Sequence, residues 1–144
     1  MEKATRGARW ACPLVALLAL AGCDDKGGDS GSGGDANLVV VSVVCTKEGG
    51  DAECNVVVEN DGDEATGSFE VGLFTGPDEP TEGDTPVDSA TINDLPAGEV
   101  QGSTLTASGC GDCQIWAMAD FTDAVAERYE DDNTASTTPV RRRR

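Results

Sequence analysis

Histidine occurs nowhere in the 144 residues. Its absence removes Ser-His-Asp and Cys-His catalysis, His-bearing zinc sites and the usual general base at neutral pH. Most enzyme classes are thereby disfavoured, and the chain is expected to be non-catalytic and to carry no cofactor. Bases are scarce as well: 10 Lys and Arg stand against 27 Asp and Glu, for a formal net charge of −17. A phosphate backbone needs a basic footprint, so no nucleic-acid partner is expected. Only the terminal Arg141–Arg144 run offers one. It could touch anionic lipid or the domain's own acidic face, but a frayed end is the simpler expectation. Long apolar runs are missing too, since "WACPLVALLALAG" from Trp10 to Gly22 has 13 residues and a membrane-spanning helix needs roughly 20.

That short run has a role of its own. Lys3, Arg6 and Arg9 precede it, and it ends in small residues, the layout of a secretory signal. Its last four residues, Leu20-Ala21-Gly22-Cys23, resemble the lipobox of bacterial lipoproteins. The resemblance implies removal of residues 1–22 and lipid on the Cys23 sulfur, so that the membrane is a partner through an N-terminal lipid. The removed part holds three bases and one acid, which takes the mature net charge to −19. Residues 24–36 are almost all Asp, Gly, Ser and Lys. Such a stretch buries too little apolar surface to offset ordering entropy, so 23–36 read as a flexible linker. Asp24-Asp25 also resembles the signal that retains lipoproteins at the inner membrane of enteric bacteria; its meaning varies between bacterial groups, and the leaflet stays open.

Six cysteines are encoded. Cys12 leaves with the signal and Cys23 takes the lipid, which leaves Cys45, Cys54, Cys110 and Cys113. An even set in a small exported domain reads as disulfides. A four-thiolate zinc site is the rival, but Cys45 and Cys54 stand wider apart than a zinc knuckle. A redox pair at Cys110-x-x-Cys113 is the other rival. Redox pairs of that spacing open a helix, whereas "GCGDC" leads into a strand-like run.

No stretch after residue 36 shows helical periodicity with caps. "NLVVVSVVC" (37–45) and "CNVVVEN" (54–60) are Val-rich and bracket the loop "TKEGGDAE", which predicts a hairpin. "GSFEVGLFT" (67–75) alternates Phe69, Val71 and Leu73 against Glu70 and Gly72. Further strands are expected at 85–94, at 98–108, at "CQIWAMADF" (113–121) and near "ERYEDDNTAST". Seven short strands separated by turns argue an all-β, immunoglobulin-like antiparallel sandwich over 37–137, with 138–144 as a basic tail. Phe69 and, with its phase less secure, Trp116 are expected in the core.

"VVVENDGDEATGSFEVGLF", the turn "LPAGE" and the ending "ADFTDAVAERYEDDNTA" together resemble CARDB, the cell-adhesion-related domain found in bacteria. The resemblance covers roughly residues 36–137. It implies the same sandwich, in extracellular or envelope modules that take part in binding or adhesion, and it supplies no catalytic residues. The four cysteines and the single domain, where the family shows repeat arrays, depart from the pattern.

Alternating strands put loops AB, CD and EF at one end, with all four cysteines. The local pairs 45–54 and 110–113 are expected there, although the cross-pairings remain geometrically open. Loops BC, DE and FG gather acids at the other end: Asp61, Asp63, Glu64, Asp94, Asp120 and Asp123. Oxygen-rich loops are what Ca²⁺ requires. Their spacing matches no EF-hand, however, and Asp and Gly are ordinary turn residues. Solvated turns are therefore expected, with calcium at Asp61, Asp63, Asp94, Asp120 and Asp123 as the alternative. The function these features favour is an envelope lipoprotein presenting a non-catalytic module to a protein or polysaccharide. Thiol–disulfide exchange through Cys110 and Cys113, or a purely structural acidic spacer, are the competing readings.

Overall fold

In the computed structural model, residues 35–141 are described, and all the regular structure among them is β. The expected signal, Cys23 and nearly all of the linker lie outside the described residues. Eight strands form: β1 (Leu38–Glu48), β2 (Asp51–Asn60), β3 (Phe69–Thr75), β4 (Asp88–Ile92), β5 (Val100–Ala107), β6 (Ile115–Ala119), β7 (Thr134–Thr137) and β8 (Val140–Arg141). They make two four-stranded sheets, ordered β5-β2-β1-β8 and β4-β3-β6-β7. Every pairing is antiparallel except that of β8, which runs parallel to β1 at Thr46 and Lys47. The sandwich expected from strand count is the one found.

The Val-rich run of β1 has no clean alternation because the strand changes phase within it. Leu38 and Val40 point inward, and so do Val43 and Cys45, while Val41 is left exposed. A bulge between Val40 and Ser42 inserts the extra residue. The β1–β2 hairpin is tighter than expected: the strands run on through "TKE" and "DAE" and close at Gly49-Gly50, with Gly49 at φ +66°. Two-residue hairpin turns need that left-handed backbone, and glycine adopts it without a Cβ clash. Cys45 and Cys54 therefore face each other inside the hairpin and do not flank a loop.

Leu38, Val43, Val56, Val58 and Leu105 of one sheet pack against Phe69, Val71, Leu73, Ile92 and Ile115 of the other. Phe69 is in this core. Trp116 is not: it is half-buried on the outer side of its sheet, opposite Phe74, where its Nε1 donates to the Gly76 carbonyl at 3.2 Å. The strict alternation of β6, with Ile115, Ala117 and Ala119 inward, forces that placement. Met118, opposite Gly72, is on the same face, and Phe74 meets Phe121 edge to face at 5.8 Å. The connection 76–87 runs across this outer face, burying Pro80 and placing Glu79 against the Thr134 hydroxyl. It does not stay at the cysteine end. Its tip brings Glu82 to Asp123 and Glu130 in the β6–β7 connection. At the start of the tail Val140-Arg141 is paired to β1, while the rest of the Arg141–Arg144 run, expected to fray, lies outside the described residues.

Candidate functional site

At the cysteine end, Cys45 and Cys54 stand at disulfide distance, and so do Cys110 and Cys113. The 108–113 turn is also held without sulfur. The Gly111 N–H donates to the Gly50 carbonyl at 3.0 Å, the Gly109 N–H donates to Asp51 Oδ1 at 2.8 Å, and Lys47 pairs with Asp112. That lysine holds the Asp112 carboxyl below its ordinary value, through the hydrogen bond first and its charge second. Cys110 is only 3% exposed, and no helix among the described residues offers its N-terminus to a thiol. A reactive redox pair needs an accessible, electropositive sulfur; here Cys110 is buried, Cys113 is half-buried, and the neighbouring Lys47 charge is paired with Asp112.

The opposite end is a polar lock built on asparagine. Asn60, fully buried, uses its whole amide. Its Oδ1 accepts the N–H groups of Asn37 (3.1 Å) and Gly62 (3.0 Å), and its Nδ2 donates to the carbonyls of Glu64 (2.7 Å) and Leu95 (2.9 Å). Asn37 carries the lock across to the β6–β7 connection. Its Oδ1 accepts the Tyr129 N–H and its Nδ2 donates to Asp132 Oδ2. A Cβ on Gly62 would come within 2.6 Å of the Ala36 and Asn37 backbone, so only glycine allows this approach.

The connection 120–133 holds the most unusual carboxylates. Asp120 is 3% exposed and accepts the N–H groups of Ala124 (2.9 Å) and Val125 (2.8 Å). Burial pushes its carboxyl upward, those two amides pull it back, and Asp123 adds repulsion. Glu127 accepts the Leu38 N–H on Oε2 and an N–H of Asn133 Nδ2 on Oε1, each at 2.6 Å. Burial raises its carboxyl to about 7; the two donors lower it, and the charges of Glu130 and Asp120 raise it further. Beside it, the buried oxygens Asp132 Oδ1 and Asn133 Oδ1 have no hydrogen-bond partner. Buried acceptors are nearly always satisfied, so these two mark the place where something is to be explained.

The acids singled out from sequence do not come together. Asp63 pairs with Arg128 at 2.7 Å, Asp94 accepts the Gly67 N–H, Asp120 caps its own loop and Asp61 is exposed. Of the five, only Asp123 joins a group of converging carboxylates, with Glu82 and Glu130, and all three are exposed. Glu127, Asp132 and Asn133 were missed by reasoning from loop composition. The signal available was "ERYEDDNT", four acids and one amide where a strand was expected.

Among the described residues no helix is long and apolar enough to cross a membrane. No curated protein matches this chain. Two domains are among the solved structures that share its fold. One is a domain assigned to a cell surface protein of Methanosarcina acetivorans, with TM-score 0.60 and 20% identity, covering 74% of this chain and 92% of that one. The other is the CARDB domain of a Pyrococcus furiosus protein in complex with di-metal ions, with TM-score 0.56 and 23% identity, covering 75% and 96%. The CARDB family profile matches residues 35–137, nearly the whole described domain, and the chain belongs to the CARDB family.

Proposed function

We propose that this protein is a lipid-anchored lipoprotein of the bacterial envelope, cut before Cys23, whose CARDB domain is a non-catalytic module for binding an envelope protein or polysaccharide. The observation that carries the reading is the contrast between the two ends of the sandwich. The chain enters at the end where Asn37, Asn60 and Glu127 lock it, so a tether attached there leaves the opposite end free. That free end is stiffened by two cysteine pairs, the Gly111–Gly50 and Gly109–Asp51 hydrogen bonds and the added strand β8. A surface ordered before contact loses less entropy on binding, which favours recognition over simple spacing. The cell-surface assignment of the archaeal neighbour supports the same setting.

The anchor is tested by metabolic palmitate labelling. Wild type should be labelled and membrane-bound, and Cys23→Ser unlabelled and either released or left unprocessed; equal labelling of both would reject it. Binding is tested by crosslinking the mature protein to envelope fractions, beside a Lys47→Ala/Asp112→Ala variant that loosens the free end. Equal partner recovery by the two would reject that end as the binding surface.

A further inference from the structure

We infer that the β6–β7 connection contains a site for one hard divalent cation of the calcium class, formed by the side-chain oxygens of Glu127, Asp132 and Asn133. The three belong to one hydrogen-bonded neighbourhood around the Asn37–Leu38 backbone. The Leu38 N–H donates to Glu127, and Asn37 Nδ2 donates to Asp132 Oδ2. Asn133 Nδ2 donates to Glu127 Oε1, and its own Oδ1 shares a carbon with that nitrogen.

The chemistry of the neighbourhood is lopsided. Asn133 is 3% exposed, yet its Oδ1 and Asp132 Oδ1 meet no donor. The other groups acting on Glu127 are the Asp120 and Glu130 carboxylates, which repel it. One carboxylate oxygen and one amide oxygen are thus withdrawn from water and unused, beside the half-buried Glu127 carboxylate. A cation satisfies those oxygens and offsets the charge together. A water molecule satisfies the oxygens alone.

The donor set selects the ion. It is oxygen only, with no histidine in the chain and the four domain cysteines paired at the other end, so soft and borderline metals have no ligand here. Calcium takes carboxylate and Asn carbonyl oxygens in irregular arrangements and completes its shell with water, whereas magnesium demands a near-ideal octahedron. The N–H groups of Leu38 and Asn133 already orient the Glu127 carboxylate, as outer-shell donors do in metal sites. Glu127 and Asp132 are only half-buried, which leaves solvent a way in. The exposed Glu82, Asp123 and Glu130 draw cations toward this end of the domain but are no part of the site.

The test is calorimetric titration of CaCl₂ into the chelator-stripped mature protein, with thermal melts beside it and MgCl₂ as comparison. Binding of one Ca²⁺ is expected, at a Kd on the order of 10⁻⁴ to 10⁻³ M as in other extracellular modules, with a higher melting temperature and weaker binding of Mg²⁺. Glu127→Gln should weaken binding at least about tenfold, and Asp132→Asn serves in its place if that variant does not fold. Glu82→Gln/Glu130→Gln should still bind. Absence of heat and of a melting shift in wild type, leaving water as the occupant, would overturn the inference. So would binding that survives Glu127→Gln or Asp132→Asn and disappears in Glu82→Gln/Glu130→Gln.

Discussion

The Glu127 carboxylate accepts the Leu38 N–H at 2.6 Å, across 89 residues of sequence. That single contact ties the first residue of β1 to the connection between β6 and β7. Beside it Ala36 and Glu127 form a parallel bridge, and the Arg128 N–H donates to the Ala36 carbonyl. The start of the domain is therefore held by a carboxylate that burial has made reluctant to ionise.

This reluctance makes stability depend on pH. The Glu127 carboxyl is raised from 4.5 to about 7 on folding, so between those values the folded protein holds a proton that the unfolded chain has lost. Stability from this group is fully present below pH 4.5, falls as pH rises through the window, and is gone above about 7. Asp120 is raised as well and acts in the same direction. Because Glu127 is only half-buried, solvent screening cuts the effect to about 1–2 kcal/mol. The chain's own negative charge gives a slope of the same sign, so the comparison with Glu127→Gln isolates the residue. Urea unfolding at pH 5 and pH 8 with chelator present should show a smaller loss in the variant; identical losses would remove Glu127 as a cause.

Asn60 and Gly62 should be among the least replaceable polar and small residues. Asn60→Ala strands the Asn37 and Gly62 N–H groups and the Glu64 carbonyl, while the Leu95 carbonyl keeps the Thr66 N–H, and each buried orphan costs about 1–3 kcal/mol. Gly62→Ala drives a methyl group into the Ala36–Asn37 backbone, and overpacking of that kind costs about 1–3 kcal/mol. Denaturant midpoints should fall in both. Hydrogen exchange should show Leu38 losing protection first in Gly62→Ala; uniform loss across both sheets would mean the lock is not local.

Strands were legible in the sequence wherever apolar residues alternate, as in "FEVGLF" and "IWAMA", and their ends fell within a few residues of the structure. In β1 the alternation is hidden, because valines occupy both faces on either side of the bulge. The parallel pairing of Val140-Arg141 with β1 rests on backbone hydrogen bonds, to which composition is blind. The acids show the same limit. Loop position alone groups Asp63, Asp94 and Asp120, but each is drawn away by a partner distant in sequence or by its own loop: the Arg128 guanidinium, the Gly67 amide, the Ala124 and Val125 amides. Glu127 acquires its character from a contact with Leu38 that no local spacing encodes.

Phe69 and Trp116 should respond very differently to truncation. Phe69 is 2% exposed between the sheets, so Phe69→Ala is expected to cost about 3–5 kcal/mol. Trp116 lies on the outer face, where Trp116→Phe keeps most of the packing and loses the bond to the Gly76 carbonyl, for about 1 kcal/mol. Thermal melts of the two variants rank them directly. A Trp116→Phe loss as large as that of Phe69→Ala would place the tryptophan in the main core.

The cysteine pairs are expected to contribute little to global stability. Cys45 and Cys54 are 9 residues apart, and Cys110 and Cys113 only 3. Cross-links over such short spans remove less chain entropy from the unfolded state than the 3 kcal/mol or so given by a 15-residue loop. The hairpin register is fixed independently by the β1–β2 ladder, and the 108–113 turn by its bonds to Gly50 and Asp51. Reduction should therefore lower the melting temperature moderately while far-ultraviolet circular dichroism still reports a β fold. The second pair should matter less than the first, so Cys110→Ser/Cys113→Ser should melt above Cys45→Ser/Cys54→Ser. Peptide mapping of the unreduced protein provides the direct check. A fragment linking Cys54 to Cys113 would span the two sheets and close a long loop, and reduction would then unfold the domain.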